Sequence, residues 1–353
     1  MTSELKHKSP PSADSEKRVS TRHRKTLSRT TASTHEPSSL HSILRDNETE
    51  RLYTHPLQWS SRHLQLINCQ FVRRTLNPKS TVTGRKRPLE HPTDVKLAGL
   101  SEQAIDRASR YLRQNCTTES KNSTVRQLLR DHGIDQHSPT DDLQLPFCFN
   151  QRQVALLPTD GIFCNSSGQI VLAYLHLSTV KERRNPSIRP RRHARVQTNI
   201  PTTRLKHKAE SSPRPTGELE DPYIAAVLIA LAQQRRSNQH TTTLSGRNQN
   251  PERPTSPSGS ASGAGDYLKV YVLVLPENNL QGLYFYSARV FTTFLDRFEQ
   301  PSRELPRCSL VISYHRVPFG PKEMIGAMGR VIVAVRGNLH VEEAGAELLN
   351  NNT

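Results

Sequence analysis

The sequence predicts an α+β protein: a small mixed or antiparallel sheet packed against a buried central helix (221–235), with extensive disordered arms and inserts. Three observations predict it. Residues Asp221-Pro222-Tyr223-Ile224-Ala225-Ala226-Val227-Leu228-Ile229-Ala230-Leu231-Ala232 form the only long apolar run, and they are apolar on every face, so other elements must wrap them. Segments 170–177, 267–275, 283–289 and 309–315 carry the apolar patterns of strands. The remainder is poor in anchors. Of 353 residues, 33% are hydrophobic and 24 are proline, too little apolar surface to offset the entropy of ordering the whole length.

In chain order, residues 1–97 read as a mostly disordered basic arm. A weak apolar pattern over 51–78, including Leu57, Trp59, Leu64, Ile67 and Phe71, suits a short docking helix or nothing stable. Residues 99–134 predict a short helical pair. Ala104, Ile105, Ala108, Tyr111 and Leu112, then Val125, Leu128 and Leu129, recur at helical spacing, and Gly133 supplies a carboxyl-terminal cap. The polar faces of this pair mix signs, unlike a basic recognition helix.

The main domain is expected over 141–335, interrupted by disordered inserts 182–217 and 237–264. Val154 to Pro158 and Ile170 to Leu177 read as a hairpin-like strand pair with an irregular connection through Ile162, Phe163 and Cys164. The helix at 221 opens with Asp221 as cap and Pro222 at its first position, and Arg235 and Arg236 face its negative end. Its twelve apolar residues rise only ~18 Å, short of a bilayer. Tyr267 to Leu275 is apolar on both faces, as a central strand is. The brief Pro276–Asn279 turn then favours antiparallel pairing with the next strand. Phe291 to Phe298 shifts to helical spacing, Cys308 to Val317 is a third strand, and Pro321 opens another helix. Residues 331–335 are a last short strand or a helical continuation, and 338–353 are a polar tail.

The formal net charge of +17 is unevenly spread. Residues 1–97 carry 18 Lys/Arg against 9 acids and residues 181–219 carry 11 against 3, whereas 264–353 carry 9 of each. The excess therefore falls on segments expected to be unfolded. Arg183, Arg184, Arg189, Arg191, Arg192 and Arg195, with Arg85, Lys86 and Arg87, are the candidate contacts for nucleic acid or an acidic protein surface. The same clusters, with Arg22 to Lys25, suit a nuclear-import receptor. Five scattered cysteines form no zinc or dithiol spacing, the first residues lack the apolar core of a signal peptide, and no transmembrane stretch occurs. The expected setting is intracellular, nuclear or cytoplasmic.

No motif specifies chemistry. Gly320-Pro321-Lys322 lacks the glycines and the Lys-Ser/Thr ending of a phosphate loop. Asp160 and Asp266 read as turn and cap residues, and the side chains of Asp141 and Asp142 diverge. His176, His315, Cys148, Cys164 and Cys308 read as satisfied strand and core residues, and Ser287 and Ser313 lack the turn that presents a nucleophile. No catalytic residue, metal or cofactor is expected. Tyr267, Tyr271, Tyr284, Tyr286 and Tyr314, flanked by Arg289 and Arg316, suit base stacking on an open sheet, but the neutrality of 264–353 favours packing for them.

The order of elements from Pro222 resembles the core of restriction-endonuclease-like proteins. That resemblance implies an acid on the second strand and Glu-x-Lys on the third. Here those strands read Leu283-Tyr284-Phe285-Tyr286-Ser287-Ala288-Arg289 and Leu310-Val311-Ile312-Ser313-Tyr314-His315, without a carboxylate, so it implies a degenerate, inactive relative. Asp221 to Ala226, Leu283 to Arg289 and Leu310 to Tyr314 also resemble a group of uncharacterised filamentous-fungal proteins of unknown activity, over residues 141–180, 220–235 and 265–330. The expected function is that of a non-enzymatic binding or interaction protein whose basic segments contact nucleic acid or other polyanions, with the inactive nuclease-like domain as the alternative.

Overall fold

A computed structural model of the chain describes residues 39–47, 54–75, 102–114, 116–137, 143–165, 167–188, 217–245, 266–277 and 281–336. Its early elements are α1 (Leu40–Asp46), α2 (Ser61–Leu66), β1 (Cys69–Arg73), α3 (Glu102–Arg113), α4 (Thr118–Asp131) and β2 (Asp135–Gln136). Next come β3 (Gln144–Phe149), β4 (Arg152–Pro158), β5 (Gly161–Cys164), β6 (Ile170–His176), α5 (Leu177–Ile188) and α6 (Pro222–Ser245). The last are β7 (Tyr267–Leu275), β8 (Gly282–Phe291), α7 (Thr292–Glu299), β9 (Leu310–Pro318) and α8 (Pro321–Arg336).

Seven strands form one mixed sheet in the order β1-β9-β8-β7-β6-β5-β2, and β3 pairs with β4 separately. The segment β7-β8-β9 is an antiparallel meander, which β1 and β6 join in parallel at its two sides. The fold is mixed α+β, but the sheet is larger than predicted. Helices also cover both of its faces, α6 on one and α3, α4 and α8 on the other. The expectation of one dominant central helix is corrected accordingly: α6 is one of several.

The composition of α6 follows from its surroundings. Residues Tyr223 to Ala232 are at most 1% exposed. The sheet residues Val270, Val272, Val274, Tyr286 and Ile312 share their cluster, and the β3–β4 hairpin, α2 and α7 pack on the helix as well. Each buried Leu, Ile or Val there contributes about 1.5–3 kcal/mol. Where α6 turns polar, Gln233 completes the hairpin's edge. Its Oε1 accepts from the Cys148 N–H at 3.0 Å and its Nε2 donates to the Cys148 carbonyl at 2.8 Å. The hairpin loop is Asn150-Gln151, both with positive φ (52° and 59°), the handedness that a two-residue hairpin loop requires.

Several expectations change. The pair expected between 154–158 and 170–177 does not form: β4 pairs with β3, while β6 lies between β5 and β7. The weak pattern over 51–78 becomes α2 and edge strand β1, held by buried Trp59 packed edge-on against Phe147 at 5.5 Å. Helices α5 and α6 run to Ile188 and Ser245, into the stretches expected as inserts, and 331–335 continues α8. The remaining arm and insert residues, and the tail 338–353, lie outside the described residues. Among the described residues, no helix is long and apolar enough to cross a membrane.

Arg184, expected as a polyanion contact, is a structural residue. Its guanidinium donates to both carboxylate oxygens of Asp221, at 2.9 and 2.7 Å, and through Nε to the Leu57 carbonyl at 2.8 Å. Both partners are buried, and Asp221 also accepts from the Tyr223 N–H at 2.9 Å, capping α6. Arg184→Ala leaves a buried carboxylate without its countercharge, so denaturant unfolding should show a loss of about 3–5 kcal/mol.

Candidate nucleic-acid interface

Alternation sends successive side chains of β7, β8 and β9 to opposite faces. On the α6 face, Leu268, Val270, Val272, Val274, Tyr284, Tyr286, Ile312 and Tyr314 are buried. On the other face, among the described residues, α3, α4 and α8 cover one end, where Leu273, Leu275, Leu283, Phe285 and Val317 pack. No described residue covers the other end, which lies beside the last turn of α8. Val333 and Ala334, in the last turn of α8, form a wall, tied down where the Tyr271 hydroxyl donates to the Ala334 carbonyl at 2.8 Å.

The result is a groove of about 650 Å³ whose floor is sheet. Register places Tyr271 opposite Ser287 and Ser287 opposite Ser313, so small hydroxyl side chains form a recess between larger neighbours. Lys269 stands directly opposite Arg289 in the β7–β8 pairing, and Arg74, just beyond β1, reaches the same groove. Among the described residues, none that lines the groove is an acid. Among the described residues, Lys269, Arg289 and Arg74 form no ion pair. Like charges directly opposite across a ladder are destabilising, so this pairing favours an anion over the groove. The Arg289 guanidinium also lies 5.2 Å above the Tyr267 ring, and Tyr267, 37% exposed, packs edge-on against Phe291. Val72, Val311 and Val333, each at least 40% exposed, add apolar surface.

The neutrality of 264–353 thus hides a segregation. Lys269 and Arg289 face the groove, while Asp296 and Glu299 lie on α7 and pair with Arg236 of α6. Of the aromatic set, only Tyr267 is exposed. Tyr271, Tyr284, Tyr286 and Tyr314 are packing residues, with Tyr286 and Tyr314 stacked at 5.2 Å. Arg183 is half-buried, 3.8 Å from Asp160. Arg189, Arg191, Arg192, Arg195, Arg85, Lys86 and Arg87 lie outside the described residues. Sequence reading missed Lys269 and Arg74. Their signal is a cation on a strand face with no acid across from it, visible only once the register is known.

A second polar group lies beneath α5. Asp160 accepts from the His176 N–H at 2.7 Å, and its neighbour Asn122 accepts from the buried Tyr174 hydroxyl at 3.0 Å. Burial outweighs these contacts and raises the Asp160 pKa, as it pushes that of His176 down to about 4. The His176 Nδ1 lies 2.5 Å from the Ser178 hydroxyl and also accepts the Ser178 N–H at 3.2 Å. The imidazole therefore caps α5, and the Asp160 carboxylate bonds the His176 backbone, not its ring, so no nucleophile–base–carboxylate relay is assembled. Burial raises the Cys164 thiol to about 11 beside His137, and that of Cys69 to about 12, which keeps both protonated. Among the described residues, no three His, Cys, Asp or Glu side chains are grouped to hold a metal ion.

Fold and site together define a mixed α+β protein with an open, cationic sheet face. No family model matches the chain, and no curated protein or solved structure matches it either.

Because Lys269 and Arg289 repel across the ladder, Lys269→Thr should raise stability by a few tenths of a kcal/mol, measured by thermal unfolding at low salt. The gain should shrink as salt screens the pair.

Proposed function

We propose that the protein is a non-enzymatic, intracellular nucleic-acid-binding protein, working in the nucleus or the cytoplasm. It holds a single strand against the open half of its sheet. The observation that carries this reading is the Lys269–Arg289 cross-strand pair, without an ion-pair partner or a neighbouring acid among the described residues, in a groove beside the exposed Tyr267. Cations bind backbone phosphates without regard to sequence, and an exposed ring with an arginine above it offers a stacking surface to an unpaired base. A duplex keeps its bases inside and presents neither face to such a recess.

The basic clusters Arg85–Arg87 and Arg189–Arg195 add salt-sensitive phosphate contacts, and as import signals they suit a nuclear-import receptor. The unpaired state of all five cysteines supports a reducing compartment. In this reading the filamentous-fungal proteins that the chain resembles share the same surface.

Fluorescence anisotropy with a labelled single-stranded oligonucleotide tests the proposal. The full chain should bind it more tightly than the same sequence as duplex. Lys269→Ala with Arg289→Ala should weaken binding about tenfold and flatten the salt dependence by about 0.7 in log–log slope per cation removed. An unchanged affinity in that variant would reject the sheet face as the site. With Mg²⁺ added, the oligonucleotide should stay intact; cleavage would favour a nuclease. Deletions that probe the basic insert should be confined to 189–216, because removal of Arg184 damages the core.

A further inference from the structure

A second recess adjoins the first. It holds about 610 Å³ between the end of β1, β9 and α8, and Arg74 lines both. Among the described residues, five cations line it, Arg73, Arg74, Arg316, Lys322 and Arg330, with one acid, Glu323. All five are exposed, so the core does not depend on them. Among the described residues none of the five is ion-paired, and Arg316 donates to a neutral partner, the side-chain Oε1 of Gln281, at 3.1 Å.

His315 stands where the two recesses meet. Its ring packs edge-on against Phe285 of the first groove at 5.5 Å, and its Nε2 has no hydrogen-bond partner among the described residues. Burial, and then the nearby charges of Arg330 and Arg74, lower its pKa, so near neutral pH the imidazole is uncharged. Gly326 lies on the α8 side. A Cβ there would meet nothing closer than Arg330 Nη1 at 3.8 Å, so the missing side chain leaves open space over the recess. A glycine inside a helix costs about 1 kcal/mol relative to alanine. Keeping the recess clear is a use that fits that cost.

We infer that this second recess is a phosphate-binding subsite continuous with the first, and that the two form one track for single-stranded nucleic acid. The strand crosses β7, β8 and β9 towards Arg74, then turns along α8 past Arg316, Arg330 and Lys322. The inference rests on the function proposed above and deepens it. Four adjacent strands at about 4.8 Å spacing put roughly 14 Å between the β7 and β1 sides of the first groove alone. A ligand occupying both recesses must therefore be an oligomer, not a mononucleotide.

The test uses the full chain and oligothymidylates of about 3 to about 16 nucleotides, with affinity read by anisotropy at fixed salt. For the wild type, affinity should rise steeply with length until both recesses are filled. Arg316→Ala with Arg330→Ala should weaken the longest oligomer about tenfold and remove the length dependence. Gly326→Leu, which fills the recess without removing a charge, should do the same, with thermal unfolding confirming that each variant folds. If both variants bind the longest oligomer like wild type while Lys269→Ala with Arg289→Ala does not, the track is refuted and the proposed function stands. If none of the three variants changes binding, both fail.

Discussion

The structure depends on hiding a helix with no polar face. Helix α6 is apolar all round over Tyr223–Ala232, so one sheet face is not enough to bury it. The chain answers with the β3–β4 hairpin, α2 and α7 packed on the helix in addition to the sheet. Polar groups flank that apolar run. Asp221 and Arg184 neutralise each other at its start, and Gln233 closes the hairpin's backbone where the run ends, midway along the helix. With so much of the apolar structure committed to that side, the described residues cover the opposite face of the sheet only where α3, α4 and α8 reach.

What was legible in the sequence follows the same physics. The α6 run, the α3–α4 pair and the β7–β8 hairpin announce themselves because each signal is local: an unbroken apolar run, a 3.6 period, two strands joined by a short turn. β3 was not seen because Pro146 argues against a strand and its turn, Asn150-Gln151, has no glycine to mark it. β1 was weak because it rests on tertiary contacts, with Phe71 against Tyr286 and Tyr314, and Trp59 against Phe147. Arg184 looked like one more cation in a basic run. Only the fold brings Asp221 to it from 37 residues away.

The candidate site was less legible than the fold for a definite reason. Charge counted along a segment averages over both faces of every strand. Residues 264–353 balance in sum, yet Lys269, Arg289, Arg316, Lys322 and Arg330 all line the two recesses, where Glu323 is the one acid among the described residues of that stretch. A slip of one residue in the β7–β8 register would send Lys269 and Arg289 to opposite faces and dissolve the cluster. The pairing that makes the site is thus a product of register.

In the proposed function the folded sheet face, and not the basic arms alone, receives the nucleic acid. Photocrosslinking of the full chain to a single-stranded oligonucleotide carrying 4-thiouridine, followed by peptide mapping, distinguishes the two. Crosslinks should fall in peptides bearing Tyr267 and Phe291, beside Lys269 and Arg289. Crosslinks confined to residues 79–97 and 189–216 would contradict that reading.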